Sequence, residues 1–146
     1  FKTHEFTGLM GSLECDRVLN RINQRNTLLN RYIKNLNNTE FNVLTQKNGR
    51  CSYYKCIIKS KYNTEKLREW CNIHNITLTG EVYSIPVHHQ PLYKNKFNLL
   101  NLKNTDFISK HHICPPLYPE LTIKEVDYIC DILKKFENEK QSSKIS

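Results

Sequence analysis

Ile85-Pro86-Val87-His88-His89-Gln90-Pro91-Leu92-Tyr93 and Ile113-Cys114-Pro115-Pro116-Leu117-Tyr118-Pro119-Glu120-Leu121-Thr122 mark the two ends of the stretch around which this chain is organised. All five prolines lie in these two runs. Proline fixes φ and removes a backbone donor, so both runs are expected to be extended or turning segments, not helix. The first run holds two imidazoles, an amide and a phenol in a stiff loop, which suits a binding surface. The plainer reading is a rigid connector.

Downstream of the second run the pattern turns helical. Thr122-Ile123-Lys124-Glu125 has a capping-box spacing, and Val126, Ile129, Cys130, Leu133 and Phe136 recur behind it on one face. The polar residues from Asn138 onward predict a disordered tail.

Upstream, Thr3 to Asn37 reads as helix, either one or two with a kink. Phe6, Leu9, Met10 and Leu13 share one face, and Val18, Ile22, Leu29, Ile33 and Leu36 share another. Gly8 and Gly11 each cost such a helix roughly 1 kcal/mol relative to alanine, and suggest that another backbone approaches closely there. Arg17, Arg21, Arg25 and Arg31 fit a solvated face. Asn37 to Arg50 is polar, with turns at Asn37-Asn38 and Asn48-Gly49. Cys51 to Lys59 predicts a strand, Asn63 or Thr64 a cap for a helix to about His74, and Ile76 to Tyr83 a second strand with a bulge at Gly80. A polar loop, a short helix over Asp106 to Lys110 and a short strand over His111 to Cys114 follow. The expected fold is a small two-layer α/β domain, with a long N-terminal helix and a short, mostly antiparallel sheet covered by helices.

At 146 residues, one domain is expected. The hydrophobic share of 38% and the mean hydropathy of −0.63 suit a thin core, or one completed by another surface. The first residue is Phe1, and the reading expects a larger protein continuing on the N-terminal side. The net charge of +8 favours anionic partners, yet the lysines are spread along the chain and no nucleic-acid-binding motif appears. No apolar run approaches the ~20 residues that span a bilayer.

The six cysteines are irregularly spaced and contain no CxxC pair, which predicts reduced, buried thiols and no structural metal. His88-His89 and His111-His112 with Cys114 are candidate metal ligands by residue type. Neighbours on an extended segment face opposite ways, so at most one of each pair should serve a given site, and no metal is expected. His88 suits a phosphate or hydroxyl ligand. Cys114 has no identifiable base to activate it, Lys110 has no activating context, and no catalytic residue is assigned.

Three blocks carry a family likeness. Phe1-Lys2-Thr3-His4-Glu5-Phe6-Thr7-Gly8-Leu9-Met10-Gly11 is similar to an Asn-aromatic-basic segment followed by a Glu and a small-residue helix. Pro86-Val87-His88-His89-Gln90-Pro91 is similar to a Pro-Val-His-x-Gln-Pro loop. Leu117-Tyr118-Pro119-Glu120-Leu121-Thr122, followed by Glu125-Val126-Asp127, is similar to a Leu-Tyr-Pro-x-Leu-Thr helix entry. In this order they resemble the C-terminal part of the DegT/DnrJ/StrS sugar aminotransferases, fold type I enzymes that use pyridoxal phosphate.

The resemblance implies transfer of an amino group from glutamate to a nucleotide-diphosphate keto sugar by a cytoplasmic homodimer. It implies that Lys2 approaches the cofactor phosphate and that His88 lies near the sugar nucleotide. His89 falls on a variable position and receives no role. The Schiff-base lysine and most phosphate ligands would belong to a large domain upstream, leaving this piece inactive alone. Residues 1–37 would link to that domain and to the dimer contact, 38–137 would form the small domain, and 138–146 the tail. Two other readings stay open: a related sugar dehydratase in which the lysine is replaced, and a free-standing basic module binding nucleic acid or protein.

Overall fold

The computed structural model describes residues 4–49, 51–78, 85–96 and 101–142. Its elements are α1 (Glu5–Asn35), β1 (Phe41–Val43), β2 (Ile58–Ser60), α2 (Thr64–Ile73), a 3-10 turn (Val87–His89), α3 (Lys103–Lys110), β3 (His112–Ile113) and α4 (Ile123–Ser142). The three strands form one antiparallel sheet in the order β1-β2-β3, with Val43 opposite Ile58 and Ile58 opposite Ile113. Helices pack on this sheet, as the residue pattern predicts.

The core lies where α4, α1 and α2 meet the sheet. Val126, Ile129, Cys130, Leu133 and Phe136 are all buried, so the inward face of α4 is the one its spacing predicts. Leu67 and Cys71 of α2 are fully buried, and Trp70 packs beside them while its indole N–H donates to the Ile132 carbonyl at 3.0 Å. Leu28, Leu29, Tyr32 and Leu36 bring the C-terminal half of α1 into this core. Fully burying one large apolar side chain contributes roughly 1.5–3 kcal/mol, so these contacts anchor the sheet despite its length.

Local signals set several boundaries. The Thr122 hydroxyl accepts from Glu125 N–H at 3.3 Å, while Glu125 accepts from Thr122 N–H at 2.7 Å, closing the capping box. The Asn63 side chain accepts from Glu65 N–H at 2.8 Å and opens α2. Asn75 sits at φ 57°, a left-handed conformation that asparagine tolerates, and ends it.

The structure corrects other expectations. The Cys51–Lys59 strand shrinks to Ile58–Ser60, because Tyr53 adopts φ 44° and breaks the extended path. Phe41–Val43, read as part of a polar stretch, is a strand because β2 supplies its pairing. Ile76 to Leu78 form no strand; the rest of that expectation, Gly80 included, lies outside the described residues. The first helix is unbroken and its N-cap is His4, whose Nδ1 accepts from Phe6 N–H, with Thr3 outside the described residues. Val18 and Ile33, expected to face inward, are exposed. The tail expected from Asn138 instead continues α4 through Ser142. Among the described residues, no helix is long and apolar enough to cross a membrane.

Candidate functional site

Pro86, at φ −57° and ψ 152°, leads into the turn Val87–His89. His89 N–H donates to the Pro86 carbonyl at 2.9 Å and Gln90 N–H to the Val87 carbonyl at 3.1 Å. The Gln90 amide reaches back to the Ile85 carbonyl at 3.1 Å. Tyr93 and Lys94 then donate to the Gln90 carbonyl, both at 2.9 Å, so the loop is held along its length.

This turn overturns the expectation that the paired histidines face opposite ways. A 3-10 turn places successive side chains about 120° apart, less than the strand's alternation. Both imidazoles therefore converge on Asp106 of α3: His88 Nε2 lies 3.0 Å and His89 Nε2 2.8 Å from the same Oδ1. Their ring centroids are 4.1 Å apart. His88 is buried, at 6% exposure, and His89 is half exposed. Desolvation pushes the Asp106 carboxyl up, but hydrogen bonds from His89 and His88 outweigh it and hold the group below its ordinary range. An ionised carboxylate only accepts, so each Nε2 carries the proton directed at it.

Beside this cluster, Pro86, Val87, Leu44, Ile57 and Ile108 wall a cleft of about 300 Å³. His112 also lines it. Its Nδ1–H donates to the Ile108 carbonyl at 2.6 Å, which leaves Nε2 as a buried acceptor with no hydrogen-bond partner. His111 turns elsewhere and stacks on Phe107 at 4.1 Å and 3°. Among the described residues, the group of donors able to hold a cation is His88, His89 and Asp106; Cys114, His111 and His112 do not join it.

Sequence reasoning singled out His88, gave His89 no role and missed Asp106. The carboxylate lies 17 and 18 positions away on a different element, and no local spacing signals it. Lys2 lies outside the described residues.

Three of the buried thiols are poor nucleophiles. Burial pushes Cys71 and Cys130 up to about 12 and raises Cys56 as well. The cleft offers hydroxyls from Thr105 and Ser109 and the His112 imidazole, but no lysine or arginine. That lining does not fit a phosphorylated cofactor, so this cleft is not by itself a pyridoxal-phosphate site.

Residues 1–134 match the model of the DegT/DnrJ/EryC1/StrS aminotransferase family. The chain belongs to this family. Among solved structures, Helicobacter pylori PseC, an aminotransferase involved in pseudoaminic acid biosynthesis, matches with a TM-score of 0.83 and 18% identity, covering 95% of this chain and 38% of that one. A DegT DnrJ EryC1 StrS aminotransferase from Brucella abortus matches at 0.73 and 20% identity, covering 86% and 34%. The E. coli GDP-4-keto-6-deoxy-D-mannose-3-dehydratase with bound hydrated PLP matches at 0.70 and 15% identity, covering 88% and 35%. These matches establish the fold of this DegT/DnrJ/EryC1/StrS chain, which spans about a third of each relative's length. No curated protein sequence matches it.

Proposed function

We propose that this chain is the C-terminal small domain of a pyridoxal-phosphate-dependent aminotransferase that moves an amino group from glutamate to a nucleotide-linked keto sugar. The family match over residues 1–134 carries this reading. When bound, the cofactor supplies the electron sink for transamination. The Schiff-base lysine and the phosphate cradle then belong to the rest of the protein, and this stretch alone is inactive. Lys2 approaches the cofactor phosphate, and His88, held by Asp106 in the Pro86–Pro91 loop, approaches the sugar nucleotide.

The first half of α1 supports a shared architecture. Phe6, Leu9, Met10 and Leu13 are exposed on one side of the helix. In this reading they are covered by the large domain or by the second subunit of a homodimer, and residues 38–137 form the small domain. The protein works in the cytoplasm on a nucleotide-diphosphate sugar.

The test is the visible absorption of the full-length protein after incubation with saturating pyridoxal phosphate. A bound-cofactor band that shifts on adding glutamate supports the reading, and no band at saturation rejects it. The shared fold with the E. coli dehydratase favours one second reading, a sugar dehydratase. A lysine at the upstream Schiff-base position supports transamination, and a histidine there supports dehydration.

A further inference from the structure

We propose that His88, His89 and Asp106 form a binding site for a divalent transition metal, best suited to Zn²⁺. The proposal rests on the geometry of these three side chains and does not depend on the aminotransferase reading. Their donor atoms all lie within 4.8 Å of one another. Zn²⁺ takes imidazole nitrogen and carboxylate oxygen at about 2.0–2.2 Å, which puts tetrahedral neighbours roughly 3.3 Å apart. The two nitrogen–oxygen separations are 3.0 and 2.8 Å, close to that spacing, and the two ring nitrogens lie within 4.8 Å of each other.

The donor set matches the cation's chemistry. Two imidazoles and one carboxylate suit Zn²⁺ and its neighbours better than Mg²⁺ or Ca²⁺, which prefer oxygen. The ion replaces two N–H···O hydrogen bonds. Each ring shifts its proton from Nε2 to Nδ1, so that a neutral imidazole binds the ion through Nε2. Three protein donors leave one tetrahedral position for water or an anionic oxygen.

The site is also built in advance. His88 and His89 share a turn held by the hydrogen bonds of Gln90, and Asp106 stands in the first turn of α3. His88 is buried while His89 is half exposed, which gives one anchored ligand and one open side for entry.

The experiment uses the untagged full-length protein in a Cys15→Ser/Cys51→Ser background, which removes the two cysteines that are not buried. After chelator treatment it is titrated with CoCl₂, then with ZnCl₂ in competition. The expected result is one equivalent of Co²⁺ with visible d–d bands, displaced by Zn²⁺. Affinity should fall by more than about tenfold in His89→Ala and in Asp106→Asn. His89 is exposed enough that its truncation should leave the thermal midpoint unchanged. No saturable spectrum, a spectrum dominated by thiolate charge transfer, or equal affinity in folded His89→Ala overturns the proposal.

Discussion

The guanidinium of Arg31 holds the carboxylate of Asp127 at two points, 2.6 and 2.8 Å, joining α1 to α4 across 96 positions of sequence. The Asn35 amide donates to the same carboxylate at 2.6 Å. This cluster fixes the register of the two helices that close the core. Both charged side chains are about a third exposed, at 35% and 33%, so solvent weakens the pair even though its fork geometry is good. Its value is orientation more than raw stability.

Asp127 gives the first prediction. The hydrogen bond from Arg31 holds its carboxyl below the usual carboxylate range. A depressed folded-state value adds stability that is present above the unfolded carboxylate range and is lost as pH falls through the folded value. Asp127→Asn should therefore lower the thermal midpoint at neutral pH. The gap between variant and parent should close as the pH is taken below the carboxylate range. Melting curves across pH check it, and a gap that stays constant into acid would contradict the assignment.

Thr122 gives the second. Its hydroxyl satisfies the Glu125 N–H at the start of α4, the helix that buries more side chains than any other described element. Thr122→Ala should cost roughly 0.5–2 kcal/mol, and Thr122→Ser should restore most of it. Urea denaturation of the two variants distinguishes a lost cap from general disruption.

The α4 cap was legible because every link in it is local: the capping box, the apolar spacing and the buried face all sit within one helix. The Asn63 cap and the Asn75 stop were legible for the same reason. Strand boundaries were not. Val43, Ile58 and Ile113 become a sheet only through pairing with one another, and strands of two or three residues leave little period to read. Tyr53 shows the opposite failure, a residue with strong strand preference held at φ 44° by its surroundings. In the site, the histidines were visible as a motif, but their joint aim depends on a 3-10 turn and on Asp106, a residue remote in sequence. The likeness to the aminotransferases survived these errors because its blocks are side-chain patterns and do not depend on strand boundaries.

Tyr32 gives the third prediction. The ring is fully buried on α1, and its hydroxyl donates to the Pro116 carbonyl at 2.9 Å. Burial pushes this phenol far above its usual range, so it stays a donor at any ordinary pH. Tyr32→Phe keeps the packing and leaves that carbonyl short of a partner, at a cost of about 1 kcal/mol. Tyr32→Ala also empties a core position and should cost roughly 3–5 kcal/mol, by analogy with aromatic truncation. Similar losses in the two variants would show that the hydrogen bond matters more than the ring.

Gly8 and Gly11 separate what this chain needs from what the proposed full protein needs. Within the chain, a Cβ added at either position meets nothing within 4 Å. Both glycines lie inside α1, where alanine favours helix by roughly 1 kcal/mol per position. In the 146-residue chain, Gly8→Ala/Gly11→Ala should therefore raise helicity measured by circular dichroism and leave the core untouched. In the full-length protein the same pair should act the other way if a second backbone packs on the glycine face of α1, which lies opposite Phe6, Leu9 and Met10, because it would meet two new methyl groups. Sedimentation velocity should then show weakened association, or the bound cofactor should be lost more readily. If the double variant stabilises the full protein as it does the chain, no backbone approaches this face, and the assignment of residues 1–37 to a shared contact fails.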